Sequence, residues 1–280
     1  MPELPEVEAY RRLAEATAVG RRITAVHAPD AWFLKAGLTA AEVEAALQGT
    51  RLVAARRRGK LLLLDTDRGH VLGLRFGMTG RLLVDGVAGV DRLLYTSSRD
   101  EPAWDRFTLL LASGAGGFGL ASGAGGLDLD PGAGRLRVND PRRLGGVVLD
   151  PDLSRLGPDA IEVSAAGLAA ALAGSTAPLK ARLLDQARLA GGGNLMGDEG
   201  LWRARLSPLR AAGSLAPAEA RRLHRELRRT VDILIERGGS HLGDLIPHRL
   251  PGGTCPKDGS PLQRATVGGR TTWWCLRHQV

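Results

Sequence analysis

Between residues 21 and 150 the apolar residues fall in short runs, each broken after a few positions by Gly, Asp or Pro. The runs are RRITAVH, RLVAARRR, KLLLLDT, HVLGLRF, RFTLLLA, RLRVND and GVVLD, and their length and spacing predict the strands of a β-sandwich. Ahead of them, Val7, Tyr10 and Leu13 share one face of a predicted helix that has Pro5 near its first turn and Gly20 as its stop. From Asp150 the composition shifts to Ala, Leu and Arg at helical spacing. The last helix of that region has Pro217 near its start, Leu223, Leu227, Val231 and Leu234 facing inward, and Gly238–Gly239 at its end. The pattern predicts an α+β multidomain chain: an N-terminal β-sandwich with a leading helix over 1–149, a helical domain over 150–245 and a small module over 246–280.

One stretch fits neither rhythm. LASGAGG occurs at 111–117 and again at 120–126, inside a Gly-rich run reaching Gly134. It predicts a flexible loop extending a hairpin, with no chemistry of its own.

Composition narrows the classes. The chain has 280 residues and a formal charge of +8, and its 38 basic residues include only four lysines, Lys35, Lys60, Lys180 and Lys257. An Arg-rich basic chain points to a polyanionic partner, and a GC-rich genome inflates Arg as well; composition leaves both open. No apolar run approaches the roughly 20 residues that span a membrane, and no signal peptide precedes the first helix. Two cysteines make no secreted disulfide framework. An intracellular protein with no membrane partner is expected.

Candidate chemistry begins at MPELPEVE. Once Met1 is removed the chain starts with the secondary amine of Pro2, followed by the carboxylate of Glu3. A free α-amino group has a pKa near about 8, so part of it is unprotonated at neutral pH. A secondary amine attacking a sugar C1′ gives a cationic iminium directly. Further on come RRRGKLLLLDT with Lys60, LRFGMTGRL with Met78 between glycines, NDPRRLGG with Arg142, Arg143 and Leu144, and LKARLLDQARLAGGGNLMGDEGLW with Lys180 and Asn194. Asn194 follows three glycines, and a favoured N-cap residue beside a tight turn makes a ready phosphate site. In the tail, Cys255 and Asp258 form C-x2-D while Cys275 and His278 form C-x2-H. All four are legitimate zinc donors; the other reading is a zincless β-hairpin packed on Trp273 and Trp274.

These motifs, in this order and over nearly the whole chain, resemble the formamidopyrimidine-DNA glycosylase/endonuclease VIII family. The resemblance implies a two-domain, bacterial-type bifunctional DNA glycosylase and abasic-site lyase of base excision repair, with a helix–two-turn–helix domain and a β-hairpin zinc finger. It implies a monomer acting on double-stranded damaged DNA in the cytoplasm, associated with the nucleoid, the DNA lying in a cleft between the domains with the damaged base flipped out. In that frame Pro2 is the Schiff-base nucleophile, Glu3 relays protons, and Lys60 and Arg270 assist β- and δ-elimination. Met78 and Leu144 fill the void left by the flipped nucleotide, Arg142 reads the opposite base, and Lys180 and Asn194 bind DNA phosphates. One structural zinc is held by Cys255, Asp258, Cys275 and His278. Leu144 stands where Phe is usual, Met196 where Tyr is usual, and Trp104 and Arg106 where histidines are expected. Two of the four customary cysteines are replaced, by Asp258 and His278. GDLIPHRLPGGT alone joins the last helix to Cys255, so the lid that closes on 8-oxoguanine is deleted, which opens the alternative of oxidised pyrimidines or bulky adducts as substrates. A catalytically silent damage-binding protein is the rival from another class; Pro2, Glu3 and Lys60 argue against it.

Overall fold

The computed structural model describes residues 2–94, 96–113 and 134–280. The chain divides into two compact units, Met1–Pro2 with Glu6–Asp152 and Glu3–Pro5 with Leu153–Val280.

The first unit opens with helix α1 (Leu4–Thr17) and strand β1 (Ile23–His27), followed by α2 (Ala40–Leu47), β2 (Leu52–Arg58), β3 (Leu61–Thr66), β4 (Val71–Arg75), β5 (Arg81–Val84) and β6 (Val87–Ala88). It closes with β7 (Asp105–Leu111), β8 (Gly134–Asn139) and β9 (Gly146–Leu149). The strands form one sheet in the order β1-β7-β8-β5-β6 and a second in the order β2-β3-β4-β9, every pairing between neighbours antiparallel. Leu62, Leu64, Leu72 and Leu74 of the second sheet share a core with Phe107, Leu109, Leu136 and Val138 of the first. Each such side chain contributes about 1.5–3 kcal/mol by leaving water, which is what closes the sandwich. All seven runs expected as strands are strands. Helix α2 and strands β5 and β6 lie outside those runs. α2 carries its own signal: Thr39 and Glu42 form a reciprocal capping box. The first LASGAGG copy begins at the end of β7; its residues 114–117 and the whole of the second copy, at 120–126, lie outside the described residues.

Helix α1 holds Val7, Tyr10 and Ala14 in that core. The Tyr10 hydroxyl donates to the Gly80 carbonyl at 3.2 Å, and its ring lies 4.5 Å from that of Phe76. Burial, aided by the charge of Glu6, pushes its phenol well above its ordinary range. The sandwich thus fixes the turn between β4 and β5 from inside.

The second unit contains α3 (Ala165–Leu172), α4 (Leu179–Leu184), α5 (Asn194–Arg203), α6 (Pro217–Arg237) and the hairpin β10 (Leu262–Val267) with β11 (Arg270–Cys275). Leu223, Leu227, Val231 and Leu234 of α6 are buried, as their spacing predicts, and Gly238 ends the helix at φ 95°. Gly200 lets α5 approach α6, because a Cβ there would meet the Leu227 side chain at 2.6 Å. Gly268 and Gly269, both at positive φ, make the two-residue turn of the hairpin.

Candidate active site and nucleic-acid interface

Glu3 is fully buried. Its Oε1 accepts the Leu195 N–H at 2.9 Å and its Oε2 the Met196 N–H at 3.0 Å. These are amides of the first turn of α5, which have no partner within the helix. Asn194, expected as the N-cap, is the first helical residue; the cap position is Gly193, which has no side chain to offer. Glu3 takes over the capping from far away in sequence, and any Cβ on Gly193 would overlap its carboxylate. Pro2, the adjoining residue, is buried as well.

Lys60 lies in the turn between β2 and β3, half-buried, after Gly59 at φ 58°. The turn is braced from α1. Glu8 accepts from Arg57 Nε at 3.2 Å, and Arg57 Nη1 donates to the Gly59 carbonyl at 2.9 Å. Burial works against the Glu8 charge, yet the hydrogen bonds and charge of Arg11, with Arg12 and Arg57, outweigh it and hold the carboxyl below its usual range.

Met78 is half-buried on the turn between β4 and β5, while Arg142 and Leu144, 48 % exposed, stand on the turn between β8 and β9. Arg143, beside them at φ 56°, is anchored to Asp30 by two hydrogen bonds of 2.6 Å. Trp104 and Arg106, which replace expected histidines, serve this turn: the Trp104 carbonyl accepts the Asp140 N–H, and Arg106 Nε donates to the Asp140 carbonyl, both at 2.9 Å.

Lys180 is where the structure redirects an expectation. Its side chain is completely buried, with Nζ 2.6 Å from Asp198 Oδ1, 2.7 Å from Asn194 Oδ1 and 2.8 Å from Thr272 Oγ1. Its three hydrogen bonds go to Asn194, Thr272 and, at 3.3 Å, the Thr271 carbonyl, with Asp198 as the ion-pair partner, which leaves no N–H for a phosphate. Burial pulls its amine below the ordinary lysine value, against the attraction of Asp198. An ammonium can only donate, so the Asn194 atom facing it is the carbonyl oxygen and the Asn194 NH2 points away. Asp198 also accepts from Arg249 Nε at 3.0 Å and from the Trp273 N–H at 3.2 Å. Arg249 and Lys180 both donate to the Thr271 carbonyl, next to Arg270, which is exposed just past the hairpin turn. Asp198 and Arg249 were missed in the sequence. Arg249 lies in GDLIPHRLPGGT, the short segment before Cys255. That segment is organised: Glu199 accepts the N–H groups of Asp244 and Leu245 at 3.0 and 2.8 Å.

In the tail, donor atoms of Cys255, Asp258 and Cys275 lie within 4.8 Å of one another. Cys275 Sγ is 3.5 Å from Asp258 Oδ2, the edge required by a tetrahedral ion with bonds of about 2.3 Å to sulfur and about 2.0 Å to oxygen. The Trp202 indole N–H donates to Cys255 Sγ at 3.4 Å and the His278 backbone N–H to Cys275 Sγ at 3.3 Å, contacts that suit thiolates. The Ser260 N–H, foremost, holds the Asp258 carboxyl below its usual range. The His278 ring stands outside the gathered trio; its Nε2 is 3.1 Å from the Trp202 carbonyl. A carbonyl only accepts, so Nε2 carries the proton and Nδ1 keeps the lone pair. The donor set fits zinc.

A family model described as the formamidopyrimidine-DNA glycosylase N-terminal domain matches residues 1–147, and one described as that glycosylase's H2TH domain matches 156–244. The chain is 35 % identical to the formamidopyrimidine-DNA glycosylase of Thermus thermophilus, covering 98 % of this chain and 97 % of that one. It is 34 % identical to that of Xanthomonas campestris pv. campestris over 100 % of both. Among solved structures, the Lactococcus lactis formamidopyrimidine-DNA glycosylase bound to DNA containing an abasic site matches with a TM-score of 0.76 at 25 % identity, over 99 % of each chain.

Proposed function

The chain belongs to the formamidopyrimidine-DNA glycosylase family and is a DNA glycosylase of base excision repair, and we propose that it acts through the amine of Pro2 as both glycosylase and abasic-site lyase. Removal of Met1 frees the amine. Its lone pair forms a bond to C1′ of the damaged nucleotide while the bond from C1′ to the base breaks, and the base leaves with that electron pair and gains a proton. The amine proton passes to the Glu3 carboxylate, the sugar oxygen O4′ leaves C1′ and takes that proton from Glu3, and an iminium results. Loss of a C2′ proton then expels the 3′ phosphate, and a further elimination expels the 5′ phosphate. Lys60 and Arg270 assist these proton transfers and hold the phosphate.

The observation that carries this reading is the Glu3 carboxylate, buried and pinned on two helix-end amides beside Pro2. Arg142 reads the opposite base, and Met78 with Leu144 fills the emptied stack. Asn194 donates its NH2 to a phosphate, with Lys180 as the positioning residue behind it. Cys255, Asp258 and Cys275, with His278, would hold one structural zinc, which would cross-link the knuckles. The protein acts as a monomer on damaged bacterial DNA in the cytoplasm, at the nucleoid.

Borohydride reduction on a duplex containing an abasic site tests the chemistry. The native protein forms a stable protein–DNA adduct, Pro2→Gly loses most of it, and Lys60→Ala still traps while turning over slowly. Trapping that survives loss of Pro2 and requires Lys60 would assign the nucleophile to Lys60 instead.

Substrate choice follows from the short segment before Cys255. Without a lid to hydrogen-bond the flipped base, discrimination rests on how easily the damaged pair unstacks, which favours ring-opened and ring-saturated bases. A lesion panel should show weak 8-oxoguanine excision beside efficient removal of formamidopyrimidines or oxidised pyrimidines. Preference for 8-oxoguanine opposite cytosine over all of these would refute it.

A further inference from the structure

Asp140 belongs to no step of the reaction above, yet it is fully buried and its carboxylate is saturated by groups from two different turns. Oδ1 accepts from the Thr79 hydroxyl and from the Arg142 N–H at 3.2 Å; Oδ2 accepts from the Gly145 N–H at 2.8 Å. Thr79 directly follows Met78, and Gly145 directly follows Leu144. One carboxylate therefore ties the Met78 turn to both ends of the Arg142–Leu144 turn.

The backbones of the same turns also touch. A Cβ on Gly77, at φ 56°, would overlap the Leu144 carbonyl, and one on Gly145 would overlap the Arg75 carbonyl. The left-handed Arg143 between them is held by Asp30, and the Asp140 backbone by Trp104 and Arg106. Every flank of the Asp140 carboxylate is thus fixed. Among the described residues, the bond through Asp140 is the only side-chain bond joining Thr79 to the Arg142 turn.

We propose that Asp140 is the positioning residue that locks the Met78 turn and the Arg142–Leu144 turn into one rigid inserting unit. The proposal rests on the reading of Met78 and Leu144 as void-filling wedges. Two apolar wedges entering one gap in a base stack help each other only if their separation is set before they enter. If each turn moved independently, ordering them would fall on the binding step, as it does for any contact that is not preorganised. The locked pair presents both wedges and the Arg142 fork at once.

The test is a double-mutant cycle between Met78→Ala and Leu144→Ala, read as single-turnover excision from a lesion duplex. It is run in native, Asp140→Asn, Thr79→Val and Thr79→Ser backgrounds. Borohydride trapping on a single-stranded abasic oligonucleotide, which has no stack to fill, runs beside it. In the native background the two wedges should couple by roughly tenfold, within the range for residues sharing one network. Asp140→Asn and Thr79→Val should abolish the coupling and slow duplex excision while leaving single-strand trapping within about twofold. Thr79→Ser, which keeps the hydroxyl, should retain the coupling. If Asp140→Asn does not fold, the Thr79→Val and Thr79→Ser pair decides. Coupling that persists in Thr79→Val, or equal losses on both substrates, overturns the role of Asp140. If Met78→Ala and Leu144→Ala alone leave duplex excision unchanged, the wedge reading fails first, and the lock with it.

Discussion

Replacing Lys180 by Met separates a buried structural cation from a phosphate contact. The structure gives the ammonium the Asp198 carboxylate as an ion-pair partner, hydrogen bonds to Asn194, Thr271 and Thr272, and no exposed surface. Removing it leaves Asp198 facing Arg249 and the Trp273 N–H alone. Breaking a buried ion pair costs about 3–5 kcal/mol; with Arg249 still present the low end applies, about 3 kcal/mol. For a unit the size of Leu153–Val280 each kcal/mol moves Tm by about 4 °C, so Lys180→Met should melt about 12 °C lower. Its DNA affinity should also fall, because the Asn194 amide loses its orientation. The salt dependence decides the cause. Asn194 is neutral and releases no counterion, so the slope of log K against log salt should stay unchanged in Lys180→Met. It should drop by about 0.9 in Arg270→Ala, which removes the proposed phosphate contact. A slope reduced by about 0.9 in Lys180→Met, with Tm unchanged, would show that the ammonium reaches DNA and refute the argument.

Arg142→Ala should change the ranking among opposite bases in excision assays; equal losses opposite all four bases would remove it as a reader. Elemental analysis should find close to one zinc per chain, easier to strip with chelator than from a four-thiolate site because two soft ligands are replaced. Zinc-free protein that still binds and cleaves DNA would favour the packed hairpin without metal. Glu8→Gln should destabilise the first unit at neutral pH. Since the folded carboxyl titrates below its unfolded value, its contribution is present above roughly pH 4 and lost as pH falls through the folded value. The native and Glu8→Gln melting curves should therefore converge in acid.

The sequence made legible whatever depends on period and local chemistry. Strands β1 to β4 and β7 to β9 stand out because their apolar runs are bounded by turn residues, and α6 because Leu223, Leu227, Val231 and Leu234 recur at helical spacing. Helix α2 escaped because TAAEVEAAL follows closely on an irregular segment, though its capping box is written in Thr39 and Glu42. The candidate nucleophile, knuckles and wedge residues are proposed from the sequence because each sits in a local motif. The burial of Lys180, expected from the sequence as a phosphate contact, is illegible there for the opposite reason. Its partners Asp198, Thr271 and Thr272 come from elsewhere in the chain, and nothing local says that its charge is used indoors. Glu3 as the cap of α5 and Asp140 as the tie between two turns are likewise long-range facts. For both, the fold supplies the partner.

Helix α5 has a consequence for how this half of the molecule moves. Its ten residues, about 15 Å of helix, are buried from Leu195 to Trp202, and each turn is bolted to a different part of the unit. The first turn carries Glu3, the middle carries Asp198 and Glu199 with their clamps on β11 and the 244–245 loop, and the last carries Trp202 against Cys255 and His278. Such a strut has no cheap way to fray, since releasing any one turn exposes a buried carboxylate or indole to an incomplete partner set. Its amide protons should exchange with solvent only when the whole unit opens. Loosening at the cysteine end is then transmitted along the rod to the Leu195 and Met196 amides, where it is felt as a change in how firmly the Glu3 carboxylate is aimed.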